Sequence, residues 1–142
     1  MKVFLRRIEK YYFNLNSKGE QWVVYRKPSI EHIMPRELTS DWKLMINSGK
    51  KYDEAAEDLY KNNLNKLGNL LLIDNNANAG LKNFPFERKK QEYLKLNLIL
   101  ATIPFNTNSE TILTTKSFTF DTIKNRTIKL SNILIEEIYE IK

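Results

Sequence analysis

The chain has 142 residues, with 23 Lys and Arg against 17 Asp and Glu, a formal charge of +6, no cysteine and one histidine. That length suits one domain with a modest core, and the lack of cysteine excludes a disulfide framework, a Cys-ligated zinc site, an iron–sulfur cluster and thiol catalysis. A single histidine excludes multi-His metal sites and histidine relays within the chain but leaves room for a site that needs one imidazole, while +6 hints weakly at an anionic partner.

The chain is 42% hydrophobic and 28% charged, the balance of an ordinary globular domain. No apolar run approaches the roughly 18 residues of a membrane span. The basic start, Met1 to Tyr12, has no apolar stretch after its charges, so no signal peptide is expected. These features predict one domain over residues 1–142, soluble and cytoplasmic, with no membrane partner.

Residues 2–15 carry Phe4, Ile8, Tyr12 and Leu15 at helical spacing, which predicts an amphipathic first helix. Asn16, Ser17, Lys18 and Gly19 break it. Trp22-Val23-Val24-Tyr25 reads as a short strand or extended segment. Ile30 to Met34 follows, and Pro35 stops regular structure. Residues 36–50 are mixed, with Trp42 as a core anchor. Tyr52 to Asn63 is rich in helix formers, and Gly68 ends that region. Leu70-Leu71-Leu72-Ile73 is an apolar run of strand length. A short helical turn is expected from Asn78 to Lys82, then a helix from Pro85 to about Leu100. Residues 102–118 read as loop. Asp121 is the expected N-cap of a last helix, with Ile123, Leu130, Leu134, Ile138 and Ile141 on one stripe. The class is α+β, mainly α, with a short two-stranded element and flanking N- and C-terminal helices.

Three short pieces can carry chemistry: Glu31-His32-Ile33-Met34-Pro35, Leu67-Gly68-Asn69-Leu70, and Asn78 nine residues after Asn69. Phosphodiester hydrolysis needs an activated water, a Lewis acid at the phosphate and help for the leaving oxygen. His32 suits the base, since an imidazole is largely neutral near pH 7. Glu31 and Asn78 offer the oxygens that Mg²⁺ or Mn²⁺ prefers. In an extended segment Glu31 and His32 point to opposite faces, so a shared site requires a twist or bulge there, or a metal that approaches from the edge. Asn78 and Lys82 share a face if their turn is helical, which would place Lys82 near a phosphate. Asn69 after Gly68 can equally cap the following strand. Arg88-Lys89-Lys90 reads as a solvated helix face with possible phosphate contact. Trp22, Phe84 and Phe86 read as core, and Arg126 as a packing anchor.

This pattern resembles an HNH (His-Me finger, ββα-metal) endonuclease, in particular the C-terminal nuclease domain of modification-dependent restriction enzymes of the GmrSD kind. The motifs are Glu31-His32-Ile33-Met34-Pro35, Leu67-Gly68-Asn69-Leu70-Leu71-Leu72, Asn78, Phe86-Glu87-Arg88-Lys89 and Ile123-Lys124-Asn125-Arg126, together spanning roughly residues 5–139. The resemblance implies a ββα-metal core with His32 as general base and Asn69 orienting the histidine loop. It also implies Glu31 and Asn78 as ligands of a divalent metal, Mg²⁺ or Mn²⁺, and Lys82 as a lysine near the phosphate. The implied substrate is DNA, gripped by its backbone. Relatives of this kind place the domain after a sensor domain that hydrolyses nucleotides. The chain is therefore expected to be a fragment or C-terminal domain of a larger restriction protein, or to work with a sensor/NTPase partner. The alternative is a nucleic-acid-binding or interaction module that keeps the HNH fold with weak or no catalysis.

Overall fold

The computed structural model describes residues 1–16 and 25–140. Its first helix, α1 (Lys2–Asn16), buries Leu5 and Ile8, while Phe4 and Leu15 face solvent. Ile8 is buried and Tyr12 half-buried against the core as the spacing predicts, so the stripe departs from it only at Leu5, which takes the place of Phe4, and at Leu15. Glu9 completes the buried side: its carboxylate accepts from the Tyr25 hydroxyl at 2.9 Å and pairs with Arg6. A stripe that holds a carboxylate is hidden from a purely apolar periodicity. Of the expected extended segment Trp22 to Tyr25, residues 22–24 lie outside the described residues.

Strand β1 (Pro28–His32) pairs antiparallel with β2 (Leu70–Asp74), from Pro28 opposite Asp74 to His32 opposite Leu70. Leu70 to Ile73 are all buried, which explains the unbroken apolar run. Between the strands run α2 (Ser40–Ile46) and α3 (Glu54–Asn63). The first of these falls in the stretch read as mixed. Its start is set by Thr39, whose hydroxyl accepts from the Trp42 N–H, and α3 is capped in the same way by Asp53. Trp42 is fully buried, as expected. Its indole N–H donates to Phe84 O at 2.8 Å, and its ring meets Phe86 and Phe118 edge-on.

After β2 the chain enters α4 (Asn75–Leu81), which packs on both strands. It is longer than the expected turn and starts three residues earlier. Helix α5 (Phe86–Lys95) stops short of Leu100, because Asn97 turns left-handed (φ 53°) before a 3₁₀ turn at Ile99–Thr102. Residues 103–118 are irregular yet bury Ile103, Phe105, Ile112 and Phe118. The last helix, α6 (Phe120–Asn132), is capped by Thr119 in a reciprocal box with Thr122, not by Asp121. It continues as a π-helical run, Ile133–Ile138. Its stripe holds Ile123, Leu130 and Ile133, with Leu134 and Ile138 half-buried against the core. Ile141 lies outside the described residues. The class is mixed α+β, mainly helical. Among the described residues, no helix is long and apolar enough to cross a membrane.

Candidate active site

Glu31 and His32 are neighbours at the end of β1, and their side chains meet different partners. The Glu31 carboxylate turns to α5. Its Oε2 accepts the Tyr93 hydroxyl at 2.5 Å and lies 3.1 Å from Lys89 Nζ. The His32 ring turns instead to the connection before β2, where its Nε2 lies 2.8 Å from Asn65 Oδ1. That is the strand alternation expected of residues one apart. Both nevertheless line one cleft of about 710 Å³, together with Asn78 and Lys82. Asn69, the fifth sequence-derived site residue, is fully buried behind it.

Asn65 decides the chemistry of the ring. An amide oxygen can only accept, so His32 Nε2 carries the proton and donates. In the neutral ring this leaves Nδ1 as the nitrogen able to take a proton. Burial lowers the His32 pKa below its ordinary value; the bond to Asn65 opposes that shift, and the cations of Arg36 and Lys89 add to it. Glu31 is pushed the other way. Burial raises its pKa, and the Lys89 ammonium, the Tyr93 hydroxyl and the His32 backbone N–H pull it back.

The loop after the histidine is held from several sides. Asn69 Oδ1 accepts from Met34 N–H at 2.7 Å, and its Nδ2 donates to Met34 O and Leu64 O at 3.0 and 2.8 Å. Ile33 N–H donates to Asn69 O at 2.9 Å. The Tyr60 hydroxyl, from α3, donates to Pro35 O at 2.8 Å. The Leu67–Asn69 turn is held in its turn by Arg126. That guanidinium, 1% exposed, donates to Gly68 O and Leu70 O at 2.9 Å each and to Leu100 O at 3.2 Å. Arg126 is thus a backbone clamp under the site, and its burial lowers its pKa to about 10. Gly68 is required by the same packing, since a Cβ there would meet Ile123 O at 2.1 Å and Thr127 Oγ1 at 2.5 Å.

Asn78 lies on α4, and its Nδ2 donates to Ser29 Oγ at 2.6 Å and Ile30 O at 2.9 Å. Its Oδ1 accepts no hydrogen bond from any described residue. Lys82 does not share a helical face with it, because α4 ends at Leu81 and Lys82 takes a left-handed φ of 42°. That departure from the helix still leaves Lys82 on the cleft. Arg36 and Lys2 line the same cleft, and neither Arg36 nor Lys82 has an ion-pair partner among the described residues.

Two expectations need correction. Lys89 is not part of a solvated face: it is fully buried, whereas Arg88 next to it is exposed. Phe84 is only half-buried, with the Arg88 guanidinium 3.9 Å above its ring. Three contributors escaped sequence reasoning altogether, Asn65, Tyr93 and Tyr60. Asn65 is one of several asparagines in an ordinary polar connection, and the tyrosines sit on helices whose spacing reads as core. For Lys89 a signal did exist, in the Phe86-Glu87-Arg88-Lys89 motif.

The donor set can be tested against a hard divalent cation, which takes oxygen ligands and, for Mg²⁺, keeps several waters. Asn78 offers a carbonyl oxygen without a partner among the described residues, on an amide anchored through its nitrogen. Glu31 offers a carboxylate on the same cleft, with one oxygen held by Tyr93 and Lys89 in the way outer partners orient a ligating carboxylate. Two such oxygens fit an ion that shares most of its shell with water and phosphate. No group of three or more His, Cys, Asp or Glu gathers anywhere among the described residues, the cleft included.

A family model for the C-terminal domain of GmrSD restriction endonucleases matches residues 1–133. That span contains every residue of the cleft and its supports. No curated protein and no solved structure matches the chain.

Proposed function

The chain belongs to the family of GmrSD restriction endonuclease C-terminal domains, and on that premise we propose that it is a metal-dependent DNA endonuclease domain of the HNH type. The observation that carries this reading is a single imidazole, tied through Nε2 to Asn65, on the same cleft as Asn78, whose carbonyl oxygen no described residue engages. The order β1, β2, α4, with α4 lying on both strands, is the order of a ββα-metal core.

In this mechanism His32 Nδ1 takes a proton from the water that attacks phosphorus in line with the leaving 3′ oxygen. Asn69 keeps the His32–Met34 backbone in place for that transfer. Glu31 and Asn78 would hold Mg²⁺ or Mn²⁺, which supplies charge stabilisation at the phosphate and the leaving oxygen. Lys82 and Arg36 hold phosphate oxygens around the scissile bond. The protein would act in the cytoplasm against foreign or modified DNA. Choice of target belongs to a sensor/NTPase domain or partner outside residues 1–142.

The test is cleavage of supercoiled duplex DNA with Mg²⁺ or Mn²⁺, repeated with chelator and with His32→Ala. Wild-type protein should nick or cut only with metal, and His32→Ala should fold and fail to cut. Cleavage by His32→Ala at the wild-type rate would sink the mechanism. One observation favours a second reading, a DNA-binding module without catalysis: Glu31 Oε2 already has two partners, Lys89 and Tyr93. Under that reading salt-sensitive DNA binding persists while no metal produces cleavage.

A further inference from the structure

Lys89 is a buried charge against the backbone of His32, and orienting Glu31 uses only one of its contacts. Its side chain has no solvent exposure. Its Nζ lies 2.8 Å from His32 O, 3.1 Å from Ile33 O and 3.1 Å from Glu31 Oε2. An ammonium has three donors, and here all three are spent on the two residues that flank the candidate chemistry and on Ile33. A side chain needed only to fill space would be apolar, because burying a charge is costly unless it is paired and hydrogen-bonded.

The two carbonyls carry the argument further. Successive carbonyls of an extended strand point to opposite edges. One Nζ within 3.1 Å of both His32 O and Ile33 O therefore marks a bend where β1 ends. A bend here bears on the alternation problem, since Glu31 and His32 leave a strand on opposite faces and yet line one cleft. We infer that Lys89 is a positioning residue, whose ammonium holds the bend at His32 and Ile33 and ties the backbone of His32 to the carboxylate of Glu31. Its catalytic consequence rests on the HNH reading; its structural one does not.

The lack of any cysteine makes a clean test possible. Lys89→Cys carries the only thiol in the chain. The unfolded variant is alkylated with 2-bromoethylamine, which restores a primary ammonium at nearly the native length, or with 1-iodopropane, which gives the neutral isostere, and then refolded. Three readouts follow: melting temperature, kcat and KM on plasmid DNA, and the ¹H–¹³C cross-peaks of the single histidine in metal-free protein. The aminoethyl form should return the wild-type imidazole spectrum and kcat. The propyl form should melt lower, because it strands His32 O, Ile33 O and the Glu31 carboxylate, and, assayed below its melting temperature, should show shifted imidazole peaks and a kcat lower by about 10–100-fold, at similar KM.

A propyl form that matches the aminoethyl form in both spectrum and kcat overturns the proposal and leaves Lys89 a packing residue. If neither form refolds, Lys89→Met and Lys89→Arg expressed directly are compared in the same way. Lys89→Arg should then keep the imidazole spectrum that Lys89→Met loses, and identical spectra overturn the proposal. If wild-type protein cuts no DNA, the nuclease reading fails on its own, and the imidazole spectrum still decides the placement of Lys89.

Discussion

Asn69 and Met34 exchange two hydrogen bonds: Asn69 Oδ1 accepts the Met34 N–H at 2.7 Å, and Asn69 Nδ2 donates to Met34 O at 3.0 Å. One side chain thereby treats a loop residue as a strand treats its partner. The histidine-bearing loop becomes an extension of the sheet edge, and the backbone around His32 is tied to β2.

That pairing makes Asn69→Leu a severe substitution. It fills the volume but leaves Met34 N–H and Met34 O buried, and Leu64 O partly buried, without the partners Asn69 gives them. At about 1–3 kcal/mol for each stranded group, a loss of about 3 kcal/mol or more is expected. Urea denaturation followed by circular dichroism measures it. A loss below about 1 kcal/mol would show that the loop holds itself.

Asn65→Ala should separate orientation from stability. Asn65 is exposed and its side chain touches the site only through His32 Nε2. Folding stability should stay within about 0.5 kcal/mol of wild type. The Nε2–H tautomer loses its anchor, and kcat should fall about 10–100-fold. The ¹⁵N shifts of the imidazole report the tautomer directly. An unchanged tautomer with unchanged kcat would remove Asn65 from the mechanism.

The pH response follows from the direction of the His32 shift. Its folded pKa lies below the ordinary 6.5, with burial as the main cause. The unfolded chain therefore takes up a proton at a pH where the folded chain still refuses it. The His32 contribution to stability is fully present above 6.5 and is lost as pH falls through the folded pKa. The imidazole also stays a neutral base to lower pH than a free histidine. An NMR titration of the single histidine in metal-free protein should give a midpoint below 6.5. Arg36→Ala, which removes a cation opposing protonation, should raise it. A midpoint at or above 6.5 in the wild type contradicts the shift.

Gly68→Ala tests the seam between the site and α6. A single methyl group has nowhere to go against Ile123 O, a backbone atom inside a helix. Either α6 moves away and Arg126 loses its carbonyls, or the Leu67–Asn69 turn shifts and takes Asn69 with it. Destabilisation of at least about 3 kcal/mol is expected from this overpacking. Wild-type melting in Gly68→Ala would mean that the seam opens freely.

Legibility of the sequence was uneven for physical reasons. Strand β2 and most helices follow from apolar runs, periodicity and caps, because those signals are local, whereas β1 has Ile30 as its one aliphatic residue and gives no such signal. Helix α2 was missed because Thr39 caps only seven residues, too few for a stripe to show. The residues that line the cleft were reachable through short motifs around Glu31, His32, Asn69 and Asn78. Of their supports, Lys89 and Arg126 sat in motifs too, but nothing local told what they hold. Lys89, Arg126 and Glu9 are charges, and a sequence gives no sign that a charge is buried until the groups that pair with it are brought close by the fold. Lys89 meets His32 O across 57 positions, and Arg126 meets Gly68 O across 58.

The cations of the cleft rim make the last prediction. Arg36 and Lys82 line the cleft from different segments, one after β1 and one after α4, with no carboxylate paired to either among the described residues. If both contact DNA phosphates, each releases about one counterion on binding. Every phosphate contact contributes about 0.9 to the slope of log K against log salt concentration on duplex DNA. Arg36→Ala and Lys82→Ala should each flatten that slope by about 0.9, and the double variant by about 1.8. The loss should be equal on DNA of any sequence, since phosphate contacts carry no base information. Fluorescence anisotropy with a labelled duplex in chelator, across a salt series, measures binding without cleavage. A slope that stays at the wild-type value in the double variant would place the DNA on another face of the domain.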